Sequence, residues 1–266
     1  MSTGQIPGET SDTLFPMTHP YINTDKPIAF AHRGGASDEP ENSMPAFQRA
    51  IDLGYRYVET DVHSTRDGVL IAFHDDDLLR TCGKPGVISE MNYEQVREYR
   101  INGKERIPLL QEILDTWPAA MVNIDCKADT AVGPLTKILQ QYGIQERVCV
   151  GSFSDKRLAS LRETFGPSLC TSLGPREVAK LRLRSWVGSV RTFPGAFAAQ
   201  VPFKQGPLTI VDKKFVDEAH DSGLHVHVWT IDDPDEMNEL FDLGVDGIMT
   251  DKPQILKDVM ISRGIW

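Results

Sequence analysis

The stretch YVETDVHSTRDGVLIAFHD, residues 57–75, contains two strand-like apolar runs separated only by HSTRDG. A crossover to a parallel neighbour needs a dozen residues or more, so the two runs must pair antiparallel. Arg66, Asp67 and Gly68 supply the turn, with 62–65 and 69–73 as its arms. The chain climbs from Asp61, turns near Asp67 and descends to His74. His74 therefore lands close to Asp61, thirteen positions earlier.

Setting VLIAF aside decides the rest. The other apolar runs are IAFA (28–31), YVETDV (57–62), MVNIDC (121–126), VCVGSF (148–153), LCTSL (169–173), FAAQV (197–201), HVHVW (225–229) and GIMT (247–250). Stretches such as PAFQRAIDLG, AVGPLTKILQQYG and PDEMNELFDLG lie between them, with helix-period apolar residues and a closing Gly. Eight strands alternating with helices predict a closed (β/α)8 barrel, made irregular by the hairpin and a small insertion at its C-terminal face. One domain spans 27–266, the insertion is about 76–108, and 1–26 reads as a flexible polar tail. Few large apolar residues cluster in 76–108.

The chain has 266 residues, 40% of them hydrophobic and 25% charged, as in an ordinary globular protein. No apolar run is long enough to span a membrane. The N-terminus lacks a basic segment followed by an apolar one, so the cytoplasm is the expected location. A net charge of −10 argues against a nucleic-acid surface or a polybasic membrane patch. A small anionic substrate stays open, provided positive charge is supplied locally. Cys82, Cys126, Cys149 and Cys170 show no CxxC spacing and read as reduced packing residues.

Functional residues of such barrels sit at the C-terminal ends of the strands. The first strand delivers His32 and Arg33, then two glycines. The second delivers Glu59 and Asp61, two apart and so on one face. The hairpin returns His74 and Asp75, and the third barrel strand gives Asp125 and Lys127. Ser152, Gln200, Trp229, Thr250 and Asp251 come from later strands. Glu59, Asp61 and Asp125 converge with little basic residue among them, which a divalent cation resolves. All-oxygen ligands favour Mg²⁺ or Ca²⁺ over zinc. The cation, Arg33 and Lys127 then make a positive pocket suited to a phosphate. His32 and His74 flank it as groups able to do acid–base work on a phosphodiester.

Blander roles remain for several positions. Asp125 and Lys127 could form a simple ion pair. Glu41 and Asn42 either orient His32 or Arg33, or bring Glu41 to the metal, or shape a loop. His63 is a third functional imidazole or faces solvent from the hairpin. His225 and His227 share a strand face and read as barrel packing, His19 and His220 as surface. Trp229 stacks on the substrate or roofs the site. DDPDEMNEL starts a helix rather than forming a calcium loop.

Taken in order, AHRGG…PENS, VETDVHSTRDGVLIAFHDDDLLR, IPLLQEIL, VNIDCK and VWTIDDPDEMNELFDLGVDGIMTDKP resemble the glycerophosphodiester phosphodiesterase family. The resemblance runs from about Ile28 to Pro253. It implies an irregular TIM barrel of the phospholipase-C-like phosphodiesterase type and hydrolysis of glycerophosphodiesters to an alcohol and glycerol 3-phosphate. It also implies a divalent cation. On this resemblance His32 and His74 match the catalytic pair, Arg33 and Lys127 phosphate contacts, and Glu59 and Asp61 metal ligands. Asp125 stands where the family usually has a ligating Glu, one methylene longer. Asp232 replaces a common Asn, a loop change without evident catalytic penalty, and Ser43 replaces a Thr while keeping the capping hydroxyl. The nucleophile is water or the substrate's own 2-hydroxyl. Lysophospholipase D, sphingomyelinase-D-like and phosphatidylinositol-specific phospholipase C activities share this barrel, and a catalytically inactive barrel that binds a phosphate ligand is the non-enzymatic alternative.

Overall fold

The computed structural model describes residues 18–187 and 192–266. Its strands are β1 (Ile28–Ala31), β2 (Tyr57–Ser64), β3 (Leu70–Ala72), the short pair β4 (Arg100–Ile101) and β5 (Glu105–Arg106), β6 (Met121–Cys126), β7 (Val148–Gly151), β8 (Cys170–Thr171), β9 (Ala198–Pro202), the short pair β10 (Lys204–Gln205) and β11 (Leu208–Thr209), β12 (His225–Trp229) and β13 (Gly247–Thr250). Among the described residues, eight run parallel in the order β8, β7, β6, β2, β1, β13, β12, β9. A bridge between Ser172 and Ala198 brings β8 back to β9 and nearly closes the ring. The expected barrel is present.

The hairpin is as the short connection requires. Val62, His63 and Ser64 pair with Ala72, Ile71 and Leu70 in an antiparallel ladder. Gly68 takes a positive φ of 84° at the turn. The N–H of Phe73 then donates to the carbonyl of Asp61 at 3.0 Å, which carries the chain to His74 beside the barrel mouth.

Side chains fill the barrel floor. Tyr21, Phe30, Tyr57, Met121, Cys149, Cys170 and Met249 form one buried cluster. A 3-10 turn, Pro20–Ile22, plugs it from below, and the Tyr57 hydroxyl donates to the Tyr21 carbonyl at 2.8 Å. The expected flexible tail is therefore too long. Its residues 1–17 lie outside the described residues, but Tyr21 and Ile22 are buried. His19 is buried as well, not at the surface: its Nδ1 accepts from the Tyr21 N–H, and its ring packs on Phe197 at 5.1 Å. Tyr21→Ala removes a fully buried aromatic ring and is expected to cost about 3 kcal/mol in a urea unfolding titration.

The insertion also differs from its sequence reading. Leu78, Ile88, Val96, Ile101 and Ile107 do cluster, packing down on Ile71 and Phe73 of the hairpin. Spread among polar residues they look sparse, but the turns gather them into a separate small core. These residues point inward while Leu79 and Val87 stay exposed, so the insertion is a packed layer over the hairpin.

Candidate active site

The chain leaves β1 in a tight 3-10 turn, His32–Gly34. Arg33 is left-handed there (φ 52°), and its N–H donates to Glu59 Oε2 at 2.9 Å. Gly34 and Gly35 follow with positive φ. A Cβ on Gly34 would sit 2.9 Å from Ala46 Cβ, and one on Gly35 would run into the Pro253 ring. Only glycine permits this close turn.

Glu59 and Asp61 point from one face of β2 into the barrel, 4% and 1% exposed. The parallel register sets Asp125 of β6 directly beside Asp61. Contrary to the sequence reading, basic groups do stand among these carboxylates. Lys127 Nζ lies 2.9 Å from Asp61 Oδ1 and 2.8 Å from Asp125 Oδ2, and Arg33 Nε lies 3.1 Å from Asp61 Oδ2. Burial alone would raise the Asp61 pKa, yet Lys127 and Arg33 together hold it below its usual value. Glu59 is pushed up to about 7, by burial first and then by Asp61. Burial opposes the Lys127 charge, but Asp61 and Asp125 outweigh it and raise that pKa.

Each imidazole has a carboxylate on its Nδ1. His32 Nδ1 donates to Asp251 Oδ1 at 2.7 Å, and His74 Nδ1 to Asp75 Oδ1 at 2.6 Å. The other ring nitrogen is thereby left for chemistry. Burial lowers the His32 pKa, but Glu59 and Asp251 together raise it above its ordinary value. Asp251 is fixed in turn by Asp232, whose Oδ1 accepts from the Asp251 N–H and the Thr250 hydroxyl, both at 2.8 Å. Asp232 is thus more than a loop substitution.

Glu41 and Asn42 act beside the site. Asn42 Nδ2 donates to Asp61 Oδ2 at 3.0 Å while its Oδ1 accepts from the Thr60 hydroxyl. Glu41 Oε1 accepts from Arg33 Nη1 at 3.0 Å and from Arg80 Nη2 at 2.6 Å. Arg80, on the insertion's first helix (Leu79–Cys82), also donates through Nε to Asp75 Oδ2 at 2.5 Å. Nothing in the spacing pointed to Arg80, because the insertion reads as a loop.

The remaining candidates divide. Gln200 and Trp229 line the same cavity of about 370 Å³ as His32, Arg33, His74 and Lys127. Gln200 Nε2 donates to Asn123 Oδ1 at 2.7 Å. Trp229 packs edge-on against Phe153, a rim residue absent from the sequence candidates. Ser152 borders the cavity, but its hydroxyl donates to the Cys126 carbonyl. His63 does not face solvent: it is 4% exposed, and its Nε2 donates to the His74 carbonyl at 3.0 Å. His227 is fully buried and His220 pairs with Asp246 at the surface. Cys126, Cys149 and Cys170 are buried, and all four cysteines are unpaired.

Among the described residues no three His, Cys, Asp or Glu side chains stand ready-assembled around an ion position. The donor chemistry nevertheless fits a hard cation. Asp125 Oδ1 is buried without a hydrogen-bond partner, and at Glu59 burial and Asp61 outweigh the charges of His32 and Arg33.

The model of the family described as "Glycerophosphoryl diester phosphodiesterase family" matches residues 32–255. A Mycobacterium tuberculosis protein, "Probable glycerophosphodiester phosphodiesterase 2", is 36% identical over 244 residues, 90% of this chain and 92% of its own. The human "Lysophospholipase D GDPD1" is 27% identical, covering 86% of this chain and 85% of its own. Among solved structures, an Oleispira antarctica phosphodiesterase in complex with the product sn-glycerol-3-phosphate superposes with a TM-score of 0.74 at 21% identity. That likeness covers 89% of this chain and 97% of the other.

Proposed function

This chain belongs to the glycerophosphodiester phosphodiesterase family and is a phosphoric diester hydrolase; we propose that His32 and His74 are its acid–base pair and that it releases sn-glycerol 3-phosphate from small, soluble glycerophosphodiesters. The observation that carries this is the pairing of two imidazoles, each held at Nδ1 by an aspartate, beside Arg33 and Lys127 in one cavity.

Arg33 Nη1 donates to Glu41 and its Nε lies in ion-pair range of Asp61 without a hydrogen bond, which aims the guanidinium and leaves Nη2 for a phosphate oxygen. Lys127 gives a second positive contact. One histidine takes the proton of the attacking hydroxyl as its oxygen bonds to phosphorus. The other gives its proton to the alcohol oxygen as the P–O bond to the leaving group breaks. The raised pKa of His32 suits the donor and leaves His74 as the base. Glu59, Asp61 and Asp125 would hold a Mg²⁺ or Ca²⁺ ion, which supplies charge stabilisation to the phosphate oxygens when bound. The proposed location is the cytoplasm; no described helix is long and apolar enough to cross a membrane.

The test is release of glycerol 3-phosphate from glycerophosphocholine and glycerophosphoethanolamine, with His32 and His74 variants alongside. No release from either diester overturns the proposal. A second reading, hydrolysis of lysophospholipids, is favoured by Phe153, which is 65% exposed on the cavity rim against Trp229, and by the activity for which the human relative is named. Lysophosphatidylcholine turned over faster than glycerophosphocholine would establish it.

Against burial, Glu59 and then the Asp251 contact favour protonated His32, so the basic limb of the kcat profile is expected above pH 6.5. Asp251→Asn removes that charge, lowers the His32 pKa and shifts the limb to lower pH. An unmoved limb would take His32 out of the donor role.

A further inference from the structure

We infer that Arg80 is a positioning residue for the hydrolysis, clamping His74 and the phosphate-binding Arg33 into one rigid unit. The inference rests on the roles proposed above for those two residues. Arg80 touches neither directly. Its guanidinium meets both carboxylates that hold them. Nη1 and Nη2 donate to the two oxygens of Glu41 at 2.9 and 2.6 Å. Nε and Nη2 donate to the two oxygens of Asp75 at 2.5 and 3.1 Å. Glu41 in turn accepts from Arg33 at 3.0 Å, and Asp75 from His74 at 2.6 Å. The order is Arg33, Glu41, Arg80, Asp75, His74, linked throughout by charge-assisted hydrogen bonds.

Only arginine can serve both carboxylates in this way. A planar fork presents two donor edges, whereas an ammonium is a point charge. An exposed ion pair ordinarily contributes little, and the Arg80 side chain is itself half exposed. Its partners differ: the side chains of Glu41 and Asp75 are 18% and 22% exposed. Without Arg80, both carboxylates keep most of their desolvation and lose a partner. Asp75 would be free to turn from His74, and Glu41 to pull Arg33 away from the phosphate.

The fold supports the clamp. Arg80 lies two positions after Leu78, which is fully buried in the insertion's own core. The carbonyl of Thr81 accepts from the Asn102 N–H at 2.7 Å, tying this helix to the insertion's far end. The insertion thereby acquires a catalytic purpose: it is the rigid mount from which Arg80 reaches across to the barrel. Arg80 is held in place because its anchor is apolar and packed, not because its own side chain is buried.

The experiment compares Arg80→Ala, Arg80→Gln and Arg80→Lys with wild type on glycerophosphocholine, with Arg97→Ala as a control. Arg97 is an insertion arginine paired with Glu94. Arg80→Ala and Arg80→Gln are expected to lose kcat by about 10- to 100-fold, as residues that orient a reacting group typically do, with a rise in KM as Arg33 is displaced. Arg80→Lys should recover part of the loss. Guanidinium ion, added well below denaturing concentration, should recover part of the Arg80→Ala loss. Arg97→Ala should match wild type. Near-wild-type kcat in Arg80→Gln overturns the inference. So does a kcat loss that neither lysine nor guanidinium repairs and that follows a fall in melting temperature. Proton NMR gives a readout independent of turnover. The His74 Nδ1–H resonance, identified by its loss in His74→Ala, should shift in Arg80→Gln. An unchanged resonance overturns the clamp, even if a different diester proves to be the substrate.

Discussion

Alanine in place of His32 or of His74 is expected to lower kcat on glycerophosphocholine by about 10²- to 10⁴-fold, the range for loss of a positioned acid or base. The fold should survive both changes. His74 is partly exposed at the mouth, and the hairpin's backbone ladder does not involve its side chain. His32 sits in a turn fixed by Gly34, Gly35 and the Arg33 N–H to Glu59. The two variants also separate the roles. A substrate with a good leaving group, such as a nitrophenyl ester of glycerol phosphate, needs little protonation of the departing oxygen. His32→Ala should therefore be rescued on it, and His74→Ala should not. Rescue of His74→Ala alone would exchange the assignments. Wild-type turnover in either variant on the natural diester would remove that histidine from the pair.

Removal of divalent cations is expected to have a comparable effect, with turnover falling to background in chelator and returning with Mg²⁺ or Ca²⁺. The chain's own residues sharpen the expectation. Glu59 is pushed up to about 7, by burial and then by Asp61, so near neutrality it is partly protonated without the ion. A cation needs it ionised, so binding should release protons at pH 6 to 7, measurable by calorimetry in buffers of different ionisation enthalpy. Asp125→Ala removes the carboxylate whose Oδ1 is buried and unpartnered. It should raise the metal concentration for half-maximal activity at least tenfold and abolish most of the metal-induced rise in melting temperature. If the titration and the melting shift are unchanged, Asp125 serves only as the ion-pair partner of Lys127.

The barrel was legible because parallel strands buried on both faces appear as bare apolar runs, and because HSTRDG is too short for a crossover. The same geometry brought His74 to Asp61. The alternation of a strand likewise put Glu59 and Asp61 on one face. Long-range side-chain geometry was less visible. Lys127 carries no sign that its ammonium lies between Asp61 and Asp125, because that depends on rotamers and not on spacing. Arg80 and Asp232 act across tertiary contacts from segments that read as loops. Tyr21 was missed because two apolar residues in a polar stretch give no periodicity, yet they close the floor of the barrel.

The first and last strands of the barrel meet at the site. β1 lies against β13, and the His32–Asp251 contact spans 219 positions. Such pairings are among the slowest to form in a folding chain, since a long loop must close before they repay it. During synthesis His32, Glu59, Asp61 and His74 emerge first, and the carboxylate that orients His32 emerges last of the site's groups. The nascent chain therefore carries most of its catalytic groups but lacks their final arrangement. Full hydrolytic activity marks the docking of the last strand, so turnover during refolding reports completion of the barrel rather than its onset.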